Sequence, residues 1–418
     1  MTDNVEITTL SNGLRVISEH MPRLKTASLG VWVDVGTRYE PAEVNGVAHL
    51  LEHMAFKGTA RRSARAIAEE IERVGGSLNA YTSREHTAYY ARILADDVEL
   101  AADILADILR HSSFDPAELE KERHVVLQEI GQVKDTPDDL VFDLLQEASY
   151  PDQPMGRAIL GPEAIVKGMP REALIDYMAR HYGPKRLVFA GAGQIEHARL
   201  VELAHRLFGD LAASDAATPE PARYSGGSRI ERRPDLEQVH LCLGVEGLPY
   251  HHPDHFALQV LSTALGGGMS SRLFQEAREN RGLCYSIFSF AAAYCDTGQL
   301  GVYAGTDPED VPELMQVVAD ETRALVLEPE EDEIGRARAQ LKASLLMGLE
   351  SCSAVCEDLA RQLLCFGRRV PTEEVVARID AVDTAAVRRV GRELLGSGGL
   401  TVAAVGPIEA LPDLDLRP

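Results

Sequence analysis

The stretch LADDVELAADILADILRHSSFDPAELEKERHVVLQEI, residues 94–130, occurs a second time in diverged form as DPEDVPELMQVVADETRALVLEPEEDEIGRARAQLKASLL, residues 307–346. The two copies align without gaps at a constant offset of 213 positions, as three pairs show: Val98 and Val311, Pro116 and Pro329, Gly193 and Gly406. A fixed offset over such a distance indicates an internal duplication. The sequence therefore predicts two homologous domains.

The domain boundaries follow from this duplication. A chain of 418 residues is too long for one ordinary hydrophobic core. Residues 212–227, AASDAATPEPARYSGG, are small, polar and rich in Pro and Gly, which is typical of a linker. We therefore expect domains at 1–211 and 228–418, joined by a linker at 212–227.

Periodicity predicts an α+β fold. Alternating apolar residues, bounded by turn residues, predict strands at 14–19, 27–35, 78–80 and 87–94. A period of 3.6 predicts helices at 64–74, 97–110 and 116–134. The last helix has Asp115 as its N-cap and Pro116 at its first position. Each domain is expected to be a mostly antiparallel sheet backed by helices.

Composition indicates which classes of partner and which cellular compartment to expect. The formal net charge of −23 argues against nucleic acid or an anionic membrane as a partner. We see no secretory signal, no transit-like N-terminus and no apolar run near 20 residues. All six cysteines lie in the second half and form no CxxC pair, which favours a reducing compartment. A bacterial cytoplasmic protein is expected.

The segment GVAHLLEHMAFKGT contains candidate metal-binding and catalytic residues. His49, Glu52 and His53 share one face of a predicted helix. Two imidazoles one turn apart can bind a single Zn²⁺ ion. Glu52 lies between them and is placed to act as a general base on water. The HxxEH order of these residues is the inverse of the HExxH motif, in which two histidines likewise bind the metal and the glutamate likewise acts as the base.

A third ligand is expected from the helix at 116–134. Glu122 and Glu129 lie two turns apart on it and project from nearly the same face. Glu129 stands in the apolar stretch VVLQEI, where a carboxylate is costly unless it is paired or coordinated. Glu122 is suited to accept a hydrogen bond from a ligating histidine.

The second half lacks this set. At the offset of 213, the five positions are occupied by residues that are not ordinary zinc ligands: Ser262, Leu265, Gly266, Gly335 and Lys342. We therefore expect one Zn²⁺ ion per chain, bound in the first domain. The Gly266-Gly267-Gly268 run lacks the frame of a phosphate-binding loop and is read as a flexible turn.

Three segments together resemble the pitrilysin-type (M16) zinc peptidases, in particular the subfamily of the mitochondrial processing peptidase and its bacterial relatives. They are HLLEHMAFKGT, LNAYTSREHTAYY and ERHVVLQEI, and the resemblance extends over essentially the whole chain. It implies that His49, His53 and Glu129 bind zinc, that Glu52 is the general base and that Glu122 supports the site. It also implies a clam shell of two domains enclosing the peptide substrate.

The resemblance assigns further roles. Arg278 and Tyr285 match a pair that reaches the zinc site from the second domain, where a tyrosine hydroxyl can stabilise an oxyanion. Asn79 and Ala80 match the strand edge to which substrate backbone adds. Unfolded or presequence-like peptides, including basic ones, are the expected substrates.

The resemblance also bears on assembly. A homodimer is expected because this chain has both the ligands and the Arg/Tyr pair, and a heterodimer with an inactive homologue is the alternative. Two rival functions are a zinc-free assembly subunit of the same fold and a zinc hydrolase acting on non-peptide substrates.

Overall fold

Each half of the chain begins with strands and then alternates helices with further strands. The computed structural model describes residues 4–214, 218–396 and 399–417, so residues 215–217 of the predicted linker lie outside the described part. The strands are β1 Val5–Thr9, β2 Arg15–His20, β3 Thr26–Val33, β4 Ser77–Thr82, β5 Thr87–Leu94, β6 Leu187–Gly193, β7 Gly227–Arg232, β8 Val239–Glu246, β9 Cys284–Ala293, β10 Gly298–Thr306 and β11 Thr401–Gly406.

The helices fill the intervals between these strands. They are α1 Val47–Ala55, α2 Ala64–Arg73, α3 Val98–Arg110, α4 Pro116–Lys134, α5 Pro137–Ser149, α6 Glu163–Gly168, α7 Arg171–His181, α8 His197–Phe208, α9 His255–Gly266, α10 Val311–Leu327, α11 Glu331–Gly348, α12 Cys352–Phe366, α13 Thr372–Asp380 and α14 Thr384–Gly396. A π-helical segment, Phe274–Asn280, precedes β9. No described helix is both long and apolar enough to cross a membrane.

Two sheets share one topology, as the duplication predicts. The strand order is β1-β2-β6-β3-β5-β4 in the first sheet and β7-β11-β8-β10-β9 in the second. The pairs β2/β6 and β7/β11 are parallel, and the other pairs are antiparallel. The first sheet differs only by the additional edge strand β1. The predicted class, α+β with two mostly antiparallel sheets backed by helices, is confirmed.

The first sheet is covered on both faces. Along β3, Leu29, Val31 and Val33 enter a core that includes residues of α1, α3 and α8. Trp32 points to the opposite face and packs with residues of α12, because successive side chains of a strand alternate. The apolar β3 is therefore a fully buried central strand.

The compact units differ from the predicted domain ranges. One unit comprises 1–130, 158–220 and 347–369, and the other comprises 131–157, 221–346 and 370–418. Each half of the sequence thus gives one helix to the other unit. The apolar side of α12 packs on the first sheet, whereas α5 packs on β8 and β11 of the second. The boundaries at 211 and 228 miss this exchange because an amphipathic pattern does not specify which sheet it covers.

The predicted elements agree with the structure to within a few residues. The start of α4 is the clearest case, since the amide groups of Ala117 and Glu118 donate to Asp115 Oδ1 at 2.8 and 3.1 Å. Asp115 is therefore the N-cap of α4, as predicted. This cap fixes where the helix begins and so which residues share its inner face. The clam-shell arrangement stays a prediction.

Candidate metal centre

The helix α1 is held at its first turn by a buried carboxylate. Glu40, only 2% exposed, accepts hydrogen bonds from the amide groups of Gly46 at 2.9 Å and Ala48 at 2.8 Å. A negative charge at a helix N-terminus stabilises the otherwise unpaired amides there. Gly46 has φ of 97°, which glycine adopts without strain. The helix that presents the HxxEH motif therefore begins at a fixed place.

Three potential ligand atoms meet between α1 and α4. Glu129 Oε2 lies 3.7 Å from His49 Nε2 and 3.5 Å from His53 Nε2. Tetrahedral zinc with ligand distances near 2.0–2.1 Å would separate its ligands by about 3.4 Å. All three atoms lie within 4.8 Å of one another, in a spacing that suits a metal ion. The structure brings the three predicted ligands together.

Two properties of the individual side chains fit a cation at this point. Glu129 Oε2 is buried and has no hydrogen-bond partner among the described residues. A buried carboxylate oxygen without a partner is costly, and a metal ion would compensate it. Burial, and secondarily the neighbouring His53, lowers the pKa of His49 to about 4. His49 is therefore neutral near pH 7, which is the form that binds metal.

Glu122 links one histidine to a lysine. Its carboxylate accepts from His53 Nδ1 at 3.0 Å through Oε2 and pairs with Lys57 Nζ at 2.8 Å through Oε1. With Nδ1 as the donor, a neutral His53 has its free lone pair on Nε2, which lies 3.5 Å from Glu129 Oε2. The position of Glu122 thus matches the supporting role that the sequence predicts for it.

Glu52 lies beside the ligands without belonging to them. Thr82, the last residue of β4, donates a hydrogen bond of 2.6 Å from Oγ1 to Glu52 Oε2. Burial raises the pKa of the Glu52 carboxyl, and the Thr82 hydrogen bond opposes that shift. A carboxylate with a raised pKa exchanges protons more readily near neutral pH.

The strand β4 forms the free edge of the first sheet. It pairs only with β5, so one side of its backbone has no strand partner in the described structure. Asn79 and Ala80 lie on this strand, and the amide of Ala80 donates to Asn79 Oδ1 at 2.9 Å. An unpaired edge of this kind can accept an extended peptide as a further strand.

Arg278 and Tyr285 contact each other in the second unit. The Arg278 guanidinium lies 4.9 Å from the centre of the Tyr285 ring and 4.6 Å from that of Phe274. Tyr285 is 79% exposed. The structure thus brings this pair together, and its role at the zinc site stays a prediction.

The equivalent positions of the second half are used structurally. Ser262 donates to Ser289 Oγ at 3.2 Å, Leu265 is buried in the core and Lys342 pairs with Asp380. Among the described residues, no group of potential metal ligands includes these positions.

Sequence reasoning missed three residues that shape the centre, namely Glu40, Lys57 and Thr82. Each contacts α1 or its neighbour Glu122 through a hydrogen bond or an ion pair. Lys57 lies just beyond the end of α1 at Ala55, four residues after His53, and its nearness in the chain is a signal that could have been followed. Glu40 and Thr82 lie outside the helix, and no periodicity connects them to it.

Comparison with known families gives two matches that together span most of the chain. Residues 15–163 match the model described as Insulinase (Peptidase family M16). Residues 168–341 match the model described as Peptidase M16 inactive domain. The ligand positions at 49, 53 and 129 lie in the first of these regions.

Individual proteins show the same likeness. The mitochondrial-processing peptidase subunit beta of Mus musculus is 42% identical over 98% of this chain and 86% of its own length. An uncharacterized zinc protease of Bacillus subtilis is 37% identical over 97% of this chain and 98% of its own length. A crystal structure of a protease from Helicobacter pylori superposes with a TM-score of 0.90 at 23% identity, covering 97% of this chain and all of the other.

Proposed function

The chain belongs to peptidase family M16, and from that premise we propose that this zinc peptidase is an endopeptidase with one zinc ion bound by His49, His53 and Glu129. The observation that carries the assignment is the convergence of three ligand atoms, one of which, Glu129 Oε2, is buried and has no hydrogen-bond partner among the described residues. A zinc-free assembly subunit is not favoured, because it would not need this set.

Glu52 is proposed to move the proton in peptide hydrolysis. A bound zinc ion supplies Lewis-acid chemistry, since it polarises a carbonyl and makes water easier to deprotonate. The Glu52 carboxylate takes a proton from the attacking water as the new C–O bond forms. It then gives that proton to the amine that leaves when the C–N bond breaks. The same side chain thus serves as base and then as acid.

The substrate is proposed to bind as an extended strand along β4, next to the α1 helix. Hydrogen bonds from the backbone groups of β4 that face its free edge, in the stretch with Asn79 and Ala80, would supply affinity without reading the side chains of the peptide. Such binding suits unfolded segments. The net charge of −23 favours basic peptides among them.

Arg278 and Tyr285 are proposed to complete the catalytic set. The guanidinium would orient a substrate carbonyl, and the phenol would donate to the oxyanion of the tetrahedral intermediate. The contact between the two side chains supports a shared role, because the Arg278 group would restrict the orientation of the exposed Tyr285 ring.

A homodimer in the bacterial cytoplasm is the proposed assembly and location. The mouse relative is named as a subunit, and this chain has both the ligand set and the Arg/Tyr pair. Native mass spectrometry of the purified chain tests the proposal. A mass of two copies is expected, whereas a monomer that dimerises only with a second gene product would indicate a heterodimer.

The substitution Glu52→Gln tests the mechanism. It keeps the shape of the side chain and removes its ability to take a proton, so we expect zinc content to be unchanged and peptide cleavage to fall by about 10²- to 10⁴-fold. Zinc is measured by elemental mass spectrometry and cleavage by mass spectrometry of a mixed peptide library. Glu43→Gln, at an exposed position just before α1, is the matched control. Undiminished cleavage by a zinc-loaded Glu52→Gln variant would refute the role of Glu52.

A further inference from the structure

The hydroxyl that holds Glu52 belongs to a residue outside the ligand set, and we propose that Thr82 is a positioning residue for the general base. This inference rests on the proposed peptidase function. It assigns to the end of β4 a second task beyond binding the substrate backbone. The proposal stands on the geometry of Glu52, of Thr82 and of the turn that follows β4.

Thr82 fixes one oxygen of the Glu52 carboxylate and leaves the other available. The 2.6 Å bond from Thr82 Oγ1 ends on Oε2. Among the described residues, Thr82 is the only side chain that donates a hydrogen bond to Glu52. A glutamate has three rotatable bonds, so one strong bond at Oε2 restricts where Oε1 can lie. Oε1 is then the atom presented to the attacking water.

The turn after β4 makes Thr82 a rigid donor. Ser83 N–H donates to the His86 carbonyl at 2.8 Å, and His86 N–H donates to Ser83 Oγ at 3.1 Å. The amide of Thr37, from a separate segment, donates to the Ser83 carbonyl at 3.0 Å. Thr82 is itself β-branched and therefore stiff about its first side-chain torsion. Its hydroxyl is thus held in place before any substrate binds.

The same strand connects the base to the substrate edge. Ala80 and Thr82 are two residues apart and therefore project to the same face of β4. A peptide added beside Asn79 and Ala80 would lie along the strand that orients Glu52. β4 alone would then set the position of the scissile bond relative to Glu52 Oε1. Small errors in this position reduce kcat strongly.

The test compares Thr82→Val with Thr82→Ser. Valine keeps the shape and removes the donor, whereas serine keeps the donor. We expect Thr82→Val to lower kcat by about 10- to 100-fold with KM changed less than about threefold, and Thr82→Ser to restore most of kcat. Zinc affinity, measured by chelator competition, should stay within about twofold for both variants because Thr82 contacts no ligand. Equal loss in both variants, or wild-type kcat in Thr82→Val, would overturn the proposal.

A double-mutant cycle separates positioning from general damage. If Thr82 acts through Glu52, Thr82→Val should change the residual rate of Glu52→Gln by less than about twofold. An independent additional loss of tenfold would overturn the positioning role. Failure of the proposed function would look different: the wild-type chain with zinc would not cleave peptides, or Glu52→Gln would cleave as well as wild type.

Discussion

Removing the charge of Glu122 should weaken zinc binding without unfolding the protein. In wild type this carboxylate, whose side chain is 6% exposed, serves His53 Nδ1 and Lys57 Nζ simultaneously. Glu122→Gln keeps an acceptor oxygen for one of them but replaces a charge-assisted hydrogen bond by a neutral one. That difference is worth about 1–1.5 kcal/mol, and hence about tenfold in zinc affinity.

A larger truncation should cost more. Glu122→Ala leaves both the His53 Nδ1 group and the Lys57 ammonium without this partner. Loss of a residue that orients a metal-binding histidine costs about 10- to 100-fold in metal affinity, so we expect a loss of about 100-fold, or about 2.7 kcal/mol. The graded series of wild type, glutamine and alanine follows from the two contacts that Glu122 makes.

The assay is competition for zinc with a chromophoric chelator at pH 7.5, with thermal unfolding recorded for each metal-free variant. Glu118→Gln is the matched control, because Glu118 lies one turn earlier on α4 and pairs with Lys121 at the surface. Its zinc affinity should equal that of wild type. If Glu122→Gln and Glu122→Ala both bind zinc as tightly as wild type, the argument that Glu122 orients His53 is refuted.

Two further predictions concern other parts of the molecule. Tyr285→Phe should lower kcat by about 10²-fold or more and leave zinc affinity unchanged, because it removes only a proposed oxyanion donor. Steady-state kinetics measures kcat, and zinc titration measures the affinity. An unchanged kcat would exclude this role for Tyr285. Buried His181, whose pKa is lowered to about 4 by burial and nearby Arg186, should make the protein less stable in acid. The unfolded chain binds a proton below about pH 6.5 and the folded chain only near pH 4, so stability falls as pH drops through this window, by about 1–2 kcal/mol between pH 7 and 5. Urea unfolding at both pH values measures the loss of stability. The loss should be smaller for His181→Phe, which keeps a ring beside Tyr177, and should equal that of wild type for His205→Gln, at an exposed position. A loss for His181→Phe as large as that of wild type would refute the role of His181.

Much of the candidate metal centre could be predicted because its proposed ligands lie on two helices with regular geometry. The spacing of His49 and His53 fixes their common face, and the two-turn spacing of Glu122 and Glu129 does the same for α4. The structure places the faces toward each other. The prediction needed no knowledge of how the helices pack, only that a carboxylate in an apolar stretch must find a partner.

Contacts between distant segments were not predictable in this way. Thr82 is 30 positions from Glu52 and Glu122 is 69 from His53 in the chain, and only the second pair had a chemical reason to be sought. Threonine at the end of a strand is common and carries no sign of its partner. Arg278 and Tyr285 show the intermediate case. A family resemblance pointed to both residues, the structure shows that they contact each other, and their role at the zinc site stays a prediction.

The duplication and the α+β class with two like sheets could be deduced from the sequence alone, which also predicted a set of zinc ligands in the first half. These properties follow from repeats and local periodicity, which can be recognised in the order of the residues without knowing how the chain packs. The packing of α5 and α12 on the sheets of the opposite halves became visible only in the folded chain, as did the contacts of Thr82 and Lys57 around the candidate metal centre. The physical reason is the same in both cases. An apolar helix face or a hydroxyl group specifies the kind of partner it needs, and the packing of the whole chain decides which one it receives.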